Sequence, residues 1–356
     1  MNGSLTYNDY ENLIINKKIF GVLDIKKQIQ PSSIDLTLSE EGYEIQSSFL
    51  SPKHKLRDKL PKIIISKINL NNKKIFLKNK TYLVRANEQL NLNNNIKGLC
   101  NPKSSTGRLD IFCRTILDYS DEYEKIPLNY SGEIFLEITP RSFDIEFVAG
   151  DSLNQMRLVY SKNMYFNDNE LEKLNKNNPI TFDEKNNISL PNIDNGLKVS
   201  VDLSSKNIIS AYKAKEKTPT LVFKKVNFHK INNFWQPLET KENSLIIERD
   251  NFYILKSKEK IRIPKNTAGE MIPYDTGIGD FRVHYAGFFD PGFGEPKGSF
   301  AVLEVKTNEV PFLLEHGQTI ARIKYEKLNK VSSVVYGKEI KSNYQNQGLA
   351  LSKHFI

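Results

Sequence analysis

The sequence has little cysteine and no long apolar run. Cys100 and Cys113 are its only cysteines, so a disulfide framework is excluded and a reducing cytoplasm is the expected setting. No run of about 18 apolar residues occurs, so no membrane-spanning helix is predicted. Residues 1–10 lack the charged-then-apolar order of a secretory signal, so we expect no leader. These absences predict a cytoplasmic protein with no membrane partner.

The chain is basic, but its charge does not predict nucleic-acid binding. Its 356 residues carry a formal net charge of +9, which is compatible with a polyanionic ligand such as a nucleotide. Lysine and asparagine are abundant throughout, so much of this charge reflects a general composition bias. Neither a Lys/Arg block nor a recognition-helix pattern is present, and no nucleic-acid partner is predicted.

An internal repeat predicts two tandem domains. Residues 82–92 align with residues 253–263 at an offset of 171, and residues 136–138 align with 303–305 at an offset of 167. Identical residues recur in the same order in both halves at these offsets. The aligned pairs include Tyr82–Tyr253, Glu88–Glu259, Gly98–Gly269, Gly150–Gly317 and Asp35–Asp202. We predict domains at residues 1–196 and 197–356, with the polar stretch 161–196 as a connector.

The domains are predicted to be all-β. Short segments rich in β-branched and aromatic residues are bounded by Gly, Pro, Asn or Asp at intervals typical of a barrel or sandwich, as in residues 81–85, 133–138, 251–255 and 300–305. Helical periodicity occurs mainly in residues 9–19 and 170–175. We therefore expect two β domains with a few short helices.

One polar segment has the composition of a phosphate-binding turn. Lys103 is followed by the hydroxyls of Ser104 and Ser105, and Arg108 follows after Gly107, which permits a tight backbone turn. Such a segment can donate hydrogen bonds to phosphate oxygens while its two cations supply charge. The residue order differs from a Walker loop, and a plain polar turn is the alternative reading.

Several motifs together resemble the dCTP deaminase branch of the dUTPase-like superfamily. They are Gln30-Pro-Ser-Ser-Ile-Asp-Leu36, the Lys103–Arg108 segment, the Asp290-Pro-Gly loop, the Leu303-Glu304 strand and the ending from Tyr336 to Gln347. The resemblance covers nearly the whole chain and is greatest to a long, duplicated form. It implies an all-β fold of two dUTPase-like distorted barrels, also called β-clips, and homo-oligomers with active sites between subunits.

The resemblance also implies site residues for hydrolysis of dCTP to dUTP and ammonia. Glu304 would be the catalytic base, with Ser104 and Arg108 holding the water or the reacting centre. The substrate would be bound by residues spread over both halves, namely Lys103, Ser105, backbone groups of His284 and Ala286, Asp290, Tyr336 and Gln347. The family has a lysine in its tail for which the nearest counterpart here is the uncharged Asn343, so we expect a weaker phosphate contact at this position.

The two copies differ at these positions. The second copy has Asp275 and Gly279 where the first has Ser104 and Arg108, and only the second has the Asp-Pro-Gly loop and the tail. We predict that Ser104 and Arg108 combine with Glu304 in one composite site, within or between chains. Glu137, the counterpart of Glu304 in the first copy, is the alternative base.

No zinc is expected in this chemistry. Zinc deaminases use a His-x-Glu and a Pro-Cys-x-x-Cys signature, and the sequence contains neither. Mg²⁺ is expected only as a companion of the triphosphate, bound mainly by phosphate oxygens. Two other functions stay open: a deaminase that also cleaves dUTP, or a dUTPase, on the same fold, and a non-catalytic nucleotide-binding regulator.

Overall fold

Short strands dominate the structure, a computed structural model. It describes residues 2–160, 164–273, 281–283, 287–307, 310–337, 344–345 and 347–356, with the backbone alone at residues 273 and 281–283. Within these ranges, no helix is both long and apolar enough to cross a membrane.

The first half contains eleven described strands and four short α-helices. In chain order they are α1 (Tyr7–Ile15), β1 (Ile19–Phe20), α2 (Ile25–Gln28), β2 (Ile34–Ile45), α3 (Leu56–Lys59), β3 (Ile64–Asn69), β4 (Lys74–Phe76), β5 (Thr81–Asn91), β6 (Ile96–Pro102), α4 (Ser104–Gly107), β7 (Ile111–Leu117), β8 (Lys125–Ile126), β9 (Ser131–Pro140), β10 (Ile145–Phe147) and β11 (Ser152–Tyr160). A 3₁₀ turn, Leu60–Lys62, follows α3.

The second half is also rich in strands. Its described elements are α5 (Asp168–Asn177), β12 (Thr181–Phe182), β13 (Leu197–Ser200), β14 (Ala211–Ala214), β15 (Leu221–Val222), α6 (Ile231–Phe234), β16 (Trp235–Leu238), β17 (Ser244–Ile247), β18 (Phe252–Ile261), β19 (Thr267–Pro273), β20 (Phe281–Val283), β21 (Phe288–Phe289), β22 (Ser299–Thr307), β23 (Phe312–Glu315) and β24 (Thr319–Lys327). The predicted β-rich fold with few short helices is confirmed.

Each half folds its longest strands into barrel-like sheets. In the first half, a nine-stranded sheet runs in the order β7-β9-β5-β2-β11-β6-β8, with β1 paired to β5 and β3 paired to β2. In the second half, the order β16-β14-β18-β22-β20 forms one sheet and β13-β24-β19-β21 forms another. Strand β15 of the second half pairs with β10 of the first, so the two halves share a small sheet.

Strand register confirms the internal repeat. Tyr82 of β5 lies opposite Ile138 of β9, and Tyr253 of β18 lies opposite Val305 of β22. The pairing therefore reproduces both sequence offsets in three dimensions. It also gives Glu304 of β22 the same position in its sheet as the first-half glutamate in β9.

Register also aligns β2 with β13. Thr37 of β2 lies opposite Ser152, and Ser200 of β13 lies opposite Thr319. Because Ser152 and Thr319 are equivalent under the second offset, Thr37 and Ser200 are equivalent too.

Two equivalent glutamate interactions support this alignment. The Glu88 carboxylate accepts hydrogen bonds from the backbone N–H and the hydroxyl of Thr37. The Glu259 carboxylate accepts from the same two groups of Ser200. The repeated Tyr-to-Glu segment thus uses its glutamate to fasten one neighbouring strand in each half.

Two sequence predictions need correction. The helix expected over residues 9–19 ends at Ile15, because Lys17 adopts a φ of +51° that cannot continue a helix. The alignment of Asp35 with Asp202 is wrong by four residues, because the strand register makes Thr37 equivalent to Ser200. Strand pairing is stronger evidence of equivalent positions than the shared Asp-Leu dipeptide.

Two apolar clusters form the main cores. The first contains side chains from the strands of the first half together with Trp235, Ile254 and Phe355 from the second. The second contains side chains from the second half, including Leu171 and Ile180 of the 161–196 stretch. The domain boundary near residue 196 stays a prediction. Because both halves contribute to the first cluster, they pack closely enough to form a cleft between them.

Candidate active site

A cleft of about 450 Å³ lies where the two halves meet. The first half supplies Lys103, Ser104 and Arg108 to its lining, and the second half supplies Asp290, Glu304 and Gln347. The cleft is formed within one chain. The predicted meeting of Ser104 and Arg108 with Glu304 therefore needs no second chain.

The short helix α4 presents the Ser/Arg segment. It begins directly after β6, where Lys103 N–H donates to the Leu153 carbonyl at 2.9 Å and Thr106 Oγ1 donates to the same carbonyl at 2.8 Å. Arg108 N–H donates to the Ser104 carbonyl at 3.1 Å. The segment is thus tied to β11 and holds Ser104 and Arg108 one turn apart on the cleft wall.

Arg108 is buried and contacts the C-terminal tail. Its guanidinium donates to Gln347 Oε1 at 2.8 Å and to the Ala350 carbonyl at 2.9 Å. The guanidinium also lies 3.8 Å from the centre of the Tyr344 ring, a cation–π contact. Its Nε has no hydrogen-bond partner in the described part of the chain. One donor of this buried cation is therefore unpaired among the described residues.

Glu304 is a fully buried carboxylate in the middle of β22. Its side chain is 0% exposed, and neither carboxylate oxygen has a hydrogen-bond partner among the described residues. Burial raises the pKa of the Glu304 carboxyl group well above its usual value, and the positive charge of Arg108 opposes that shift. Such a group is costly to a folded protein unless it serves a task, which makes it the strongest candidate for proton transfer here.

Glu137, the alternative base, has a different environment. Its carboxylate forms an ion pair with Arg114 at 2.6 Å and accepts a hydrogen bond from Ser48 Oγ at 2.5 Å. The Arg114 guanidinium in turn lies 3.5 Å from the centre of the Tyr123 ring. Glu137 is absent from the lining of the interdomain cleft. The first-copy counterpart of Glu304 is therefore already paired with side chains of its own domain.

Asp290 also lines the cleft and is fixed by residues of the first half. Its Oδ1 accepts hydrogen bonds from the Ser32 hydroxyl at 3.0 Å and the Ser32 N–H at 3.3 Å. The Arg157 guanidinium lies 3.5 Å from the same oxygen. Burial raises the pKa of the Asp290 carboxyl group, and Arg157 acts against this. The Asp-Pro-Gly loop of one copy is thereby held by the Gln30–Leu36 motif of the other.

Arg157 joins the two halves next to this loop. Its guanidinium is fully buried and forms an ion pair with Glu326 at 2.9 Å. It also donates to the Gly269 carbonyl at 3.0 Å and lies 4.1 Å from the centre of the Phe288 ring. A buried arginine with these partners keeps the cleft walls in a fixed relation.

The basic end of the cleft is formed around Asp35. Lys103 Nζ forms an ion pair with Asp35 Oδ2 and lies 3.4 Å from Ser152 Oγ. The other Asp35 oxygen, Oδ1, is buried and has no hydrogen-bond partner among the described residues. The backbone carbonyl of Ser105 accepts a hydrogen bond from the Ser352 hydroxyl at 2.9 Å.

The predicted tail residues lie along the cleft. Tyr336 N–H donates to the Pro291 carbonyl at 2.9 Å, and Gln347 Nε2 donates to the Phe300 carbonyl at 2.9 Å. Both side chains line the cleft. His284, Ala286 and Asn343 lie outside the described residues.

Three cleft residues were missed as functional positions from the sequence. They are Asp35, Tyr344 and Lys353. Asp35 lies within the Gln30–Leu36 motif, and Tyr344 precedes Gln347 in a Tyr-x-x-Gln pattern, so both had a signal. Lys353 had none, because a lysine in a lysine-rich chain does not stand out.

Comparisons with known proteins agree with this geometry. Residues 1–162 match the profile of the 2'-deoxycytidine 5'-triphosphate deaminase (DCD) N-terminal domain, and residues 167–355 match that of the C-terminal domain. A sequence search of curated proteins finds no match. A solved structure of 2'-deoxycytidine 5'-triphosphate deaminase from Agrobacterium tumefaciens is similar, with 37% identity, a TM-score of 0.86, and coverage of 92% of this chain and 99% of that chain. With both domain profiles matched in order over nearly its full length, the chain belongs to the 2'-deoxycytidine 5'-triphosphate deaminase family.

Proposed function

We propose that this chain hydrolyses dCTP to dUTP and ammonia. The observation that carries the proposal is Glu304, a buried carboxylate without hydrogen bonds that shares one cleft with Ser104 and Arg108. Membership of the deaminase family supplies the substrate class. The composite site is then a property of the single chain.

The substrate is oriented by the distribution of charge along the cleft. Its triphosphate lies toward Lys103 and the hydroxyls of Ser104 and Ser105, because cations and hydroxyl donors suit phosphate oxygens. Its cytosine lies toward Glu304, and Asp290 contacts the sugar side. Tyr336 and Gln347 of the tail close over the bound nucleotide.

Glu304 transfers the protons of the reaction. It accepts a proton from water as the water oxygen adds to C4 of cytosine, and it delivers that proton to N3. It then takes the proton of the new hydroxyl and passes it to the exocyclic amino group. The C4–N bond breaks, ammonia leaves and a C4 carbonyl forms, so that one water is consumed for each ammonia released.

Arg108 and Ser104 stabilise this sequence. The positive charge of Arg108 favours the carboxylate form of Glu304 and stabilises the negative charge that develops as water adds to C4. The Ser104 hydroxyl holds the water or the leaving nitrogen. The roles of both residues depend on α4 remaining attached to β11.

Mg²⁺ enters this scheme as part of the substrate. Among the described residues, no three His, Cys, Asp or Glu side chains are grouped to hold a metal ion. An Mg²⁺ ion held by the triphosphate oxygens would lower the charge that Lys103 must balance. No zinc is invoked.

Ammonia release from dCTP tests the proposal, with dCMP and cytidine as comparison substrates. Chromatography of the product separates dUTP from dUMP, so a dUMP product would show additional triphosphate cleavage. Glu304→Gln should abolish ammonia release, and Glu137→Gln serves as the matched control. No ammonia from dCTP with the native chain would overturn the proposal and favour a regulator that only binds nucleotides.

We also propose a homo-oligomer, as the family resemblance implies. Because Arg108 and Glu304 line one cleft of one chain, activity per chain should not fall on dilution. Light scattering together with assays over a range of protein concentrations tests both statements. Loss of specific activity on dissociation would mean that a partner chain completes the site.

A further inference from the structure

Lys353 is a cationic cleft residue that none of the motifs includes. It lies in the C-terminal segment that follows Gln347 and lines the same cleft as Lys103 and Arg108. Its ammonium has no hydrogen bond and no ion pair within the described part of the chain. It is therefore a lysine in a half-buried position without a bound partner.

The backbone on both sides of Lys353 is anchored. Lys353 N–H donates to the Tyr344 hydroxyl at 3.2 Å, and its carbonyl accepts from Asn227 N–H at 2.9 Å. The preceding Ser352 hydroxyl donates to the Ser105 carbonyl at 2.9 Å. The carbonyl of the next residue, His354, accepts from two backbone N–H groups of the second half. These bonds direct the side chain into the cleft without using its ammonium.

A second lysine, Lys103, and two aspartates, Asp35 and Asp151, act on the charge of Lys353. Asp35 is already bound to Lys103 through one oxygen, so its charge is shared between Lys103 and Lys353. Burial and the charge of Lys103 lower the pKa of Lys353, while Asp35 and Asp151 act against this. An anion placed between the two lysines would relieve their repulsion.

We propose that Lys353 binds the substrate triphosphate together with Lys103. This assignment rests on the proposed function and adds a binding residue to the same site. It also explains why the segment beyond Gln347 is fastened to Ser105, beside the phosphate-binding turn.

The test is steady-state kinetics of Lys353→Met, which keeps the length of the side chain and removes its charge. We expect KM for dCTP to rise about tenfold or more, with kcat within about twofold, because a charge-assisted contact to phosphate is lost in the ground and transition states alike. Lys353→Arg should restore KM to within about threefold. Lys217→Met, at an exposed position outside the cleft, should leave KM unchanged.

A second measurement separates phosphate binding from a purely structural role. Inorganic tripolyphosphate should compete with dCTP for the native chain, and its inhibition constant should rise in Lys353→Met by the same factor as KM. Binding of deoxycytidine, which has no phosphate, should change little. A uniform loss of affinity for dCTP and deoxycytidine, or a fall in Tm with no rescue by Lys353→Arg, would overturn the proposal.

Failure of the inference can be told apart from failure of the proposed function. If the native chain releases no ammonia, the proposed function fails, and equilibrium binding of dCTP and tripolyphosphate still tests Lys353. If the native chain is active and Lys353→Met has native KM and native inhibition by tripolyphosphate, only the role of Lys353 is wrong.

Discussion

The carboxyl group of Glu304 packs directly against the α-carbon of Gly107. A Cβ atom at residue 107 would lie 2.1 Å from Glu304 Oε2 and 2.7 Å from both Cδ and Oε1. The two residues come from opposite copies of the repeat. Gly107 is therefore needed because any larger residue would clash with the Glu304 carboxyl group, as well as for the tight backbone turn of the Lys103–Arg108 segment.

Gly107→Ala should displace the Glu304 carboxylate and lower kcat about 100-fold, since an error of about 1 Å at a reacting group costs that much. Ammonia release from dCTP measures the effect. Gly348→Ala is the matched control, because a Cβ at that glycine has nothing within 4 Å.

A double mutant tests whether Gly107 acts through Glu304. In a Glu304→Gln background, Gly107→Ala should cause little further loss of activity, because the group it displaces no longer transfers protons. Additive losses would mean that Gly107 matters for another reason, such as the conformation of α4.

The two equivalent glutamates should respond in opposite ways to amide substitution. Glu304→Gln should lower kcat at least about 1,000-fold while leaving the protein folded, because the amide keeps the shape but cannot accept a proton. Glu137→Gln should retain activity but lower the free energy of unfolding by about 1–2 kcal/mol, because it weakens the buried pair with Arg114. Kinetics and denaturant unfolding of both variants measure this. Full activity in Glu304→Gln and none in Glu137→Gln would reverse the assignment.

The acid side of the pH–rate profile should report Glu304. The carboxylate must be ionised to accept a proton, and burial raises its pKa. As pH decreases, kcat/KM should therefore begin to fall at a higher pH than it would with an ordinary glutamate as the base. The charge of Arg108 opposes the rise in the pKa of Glu304. Arg108→Lys places the positive charge at a different position, so it should shift the pH at which the acid limb falls. An acid limb at the ordinary glutamate value in the native chain would contradict the buried position of the base.

The same pKa shift has a consequence for stability. A carboxyl group with a raised folded-state pKa favours the folded state at low pH, and this contribution disappears as pH rises through the folded pKa. The Tm of Glu304→Gln relative to the native chain should therefore increase with pH, as measured by thermal unfolding across the neutral range. A difference in Tm that does not change with pH would show that folding does not raise the pKa of Glu304.

Sequence motifs and repeat offsets predicted the fold and several cleft residues, because both can be recognised from short segments of the sequence. The offsets at Tyr82 and Tyr253 correspond to ladder positions, and the Lys103–Arg108 segment forms the turn that its composition suggests. Glu304 was distinguished from Glu137 only by the family resemblance and by residues missing from the second copy. The physical distinction is the ion pair between Glu137 and Arg114, which depends on strand register.

Other features depended on contacts that no local pattern encodes. Lys353 enters the cleft because the chain end is fastened to Ser105 and residue 227, far away in sequence. Arg157 holds Asp290 across the two copies for the same reason. The false alignment of Asp35 with Asp202 arose because a dipeptide match cannot detect a shift of four residues along a strand.

Removal of zinc should not affect the reaction. With Mg²⁺ in excess, chelators selective for zinc should leave ammonia release unchanged, because the proposed chemistry uses Glu304 rather than a metal-bound water. Metal analysis of the purified protein is the accompanying measurement. Stoichiometric zinc together with inactivation on its removal would sink the metal-free mechanism.

The number of nucleotide sites per chain should be one. Glu304 faces the interdomain cleft, whereas its counterpart Glu137 is paired with Arg114 and Ser48 and is absent from that cleft. A dCTP site built on Glu137 would have to break this pair, and the second copy offers Asp275 where the first offers Ser104. A carboxylate near a triphosphate is unfavourable at short range.

Calorimetric titration of Glu304→Gln with dCTP and Mg²⁺ counts the sites without turnover. We expect one dCTP per chain, with affinity lost in Arg108→Ala and kept in Arg114→Ala, since only Arg108 lines the cleft. Arg114→Ala is the matched control. Like Arg108, Arg114 lies over a tyrosine ring, and it pairs with Glu137, the counterpart of Glu304 in the other copy. Two equivalent dCTP sites per chain would refute the division of labour between the copies, since it would require a second site without Ser104, Arg108 or Glu304.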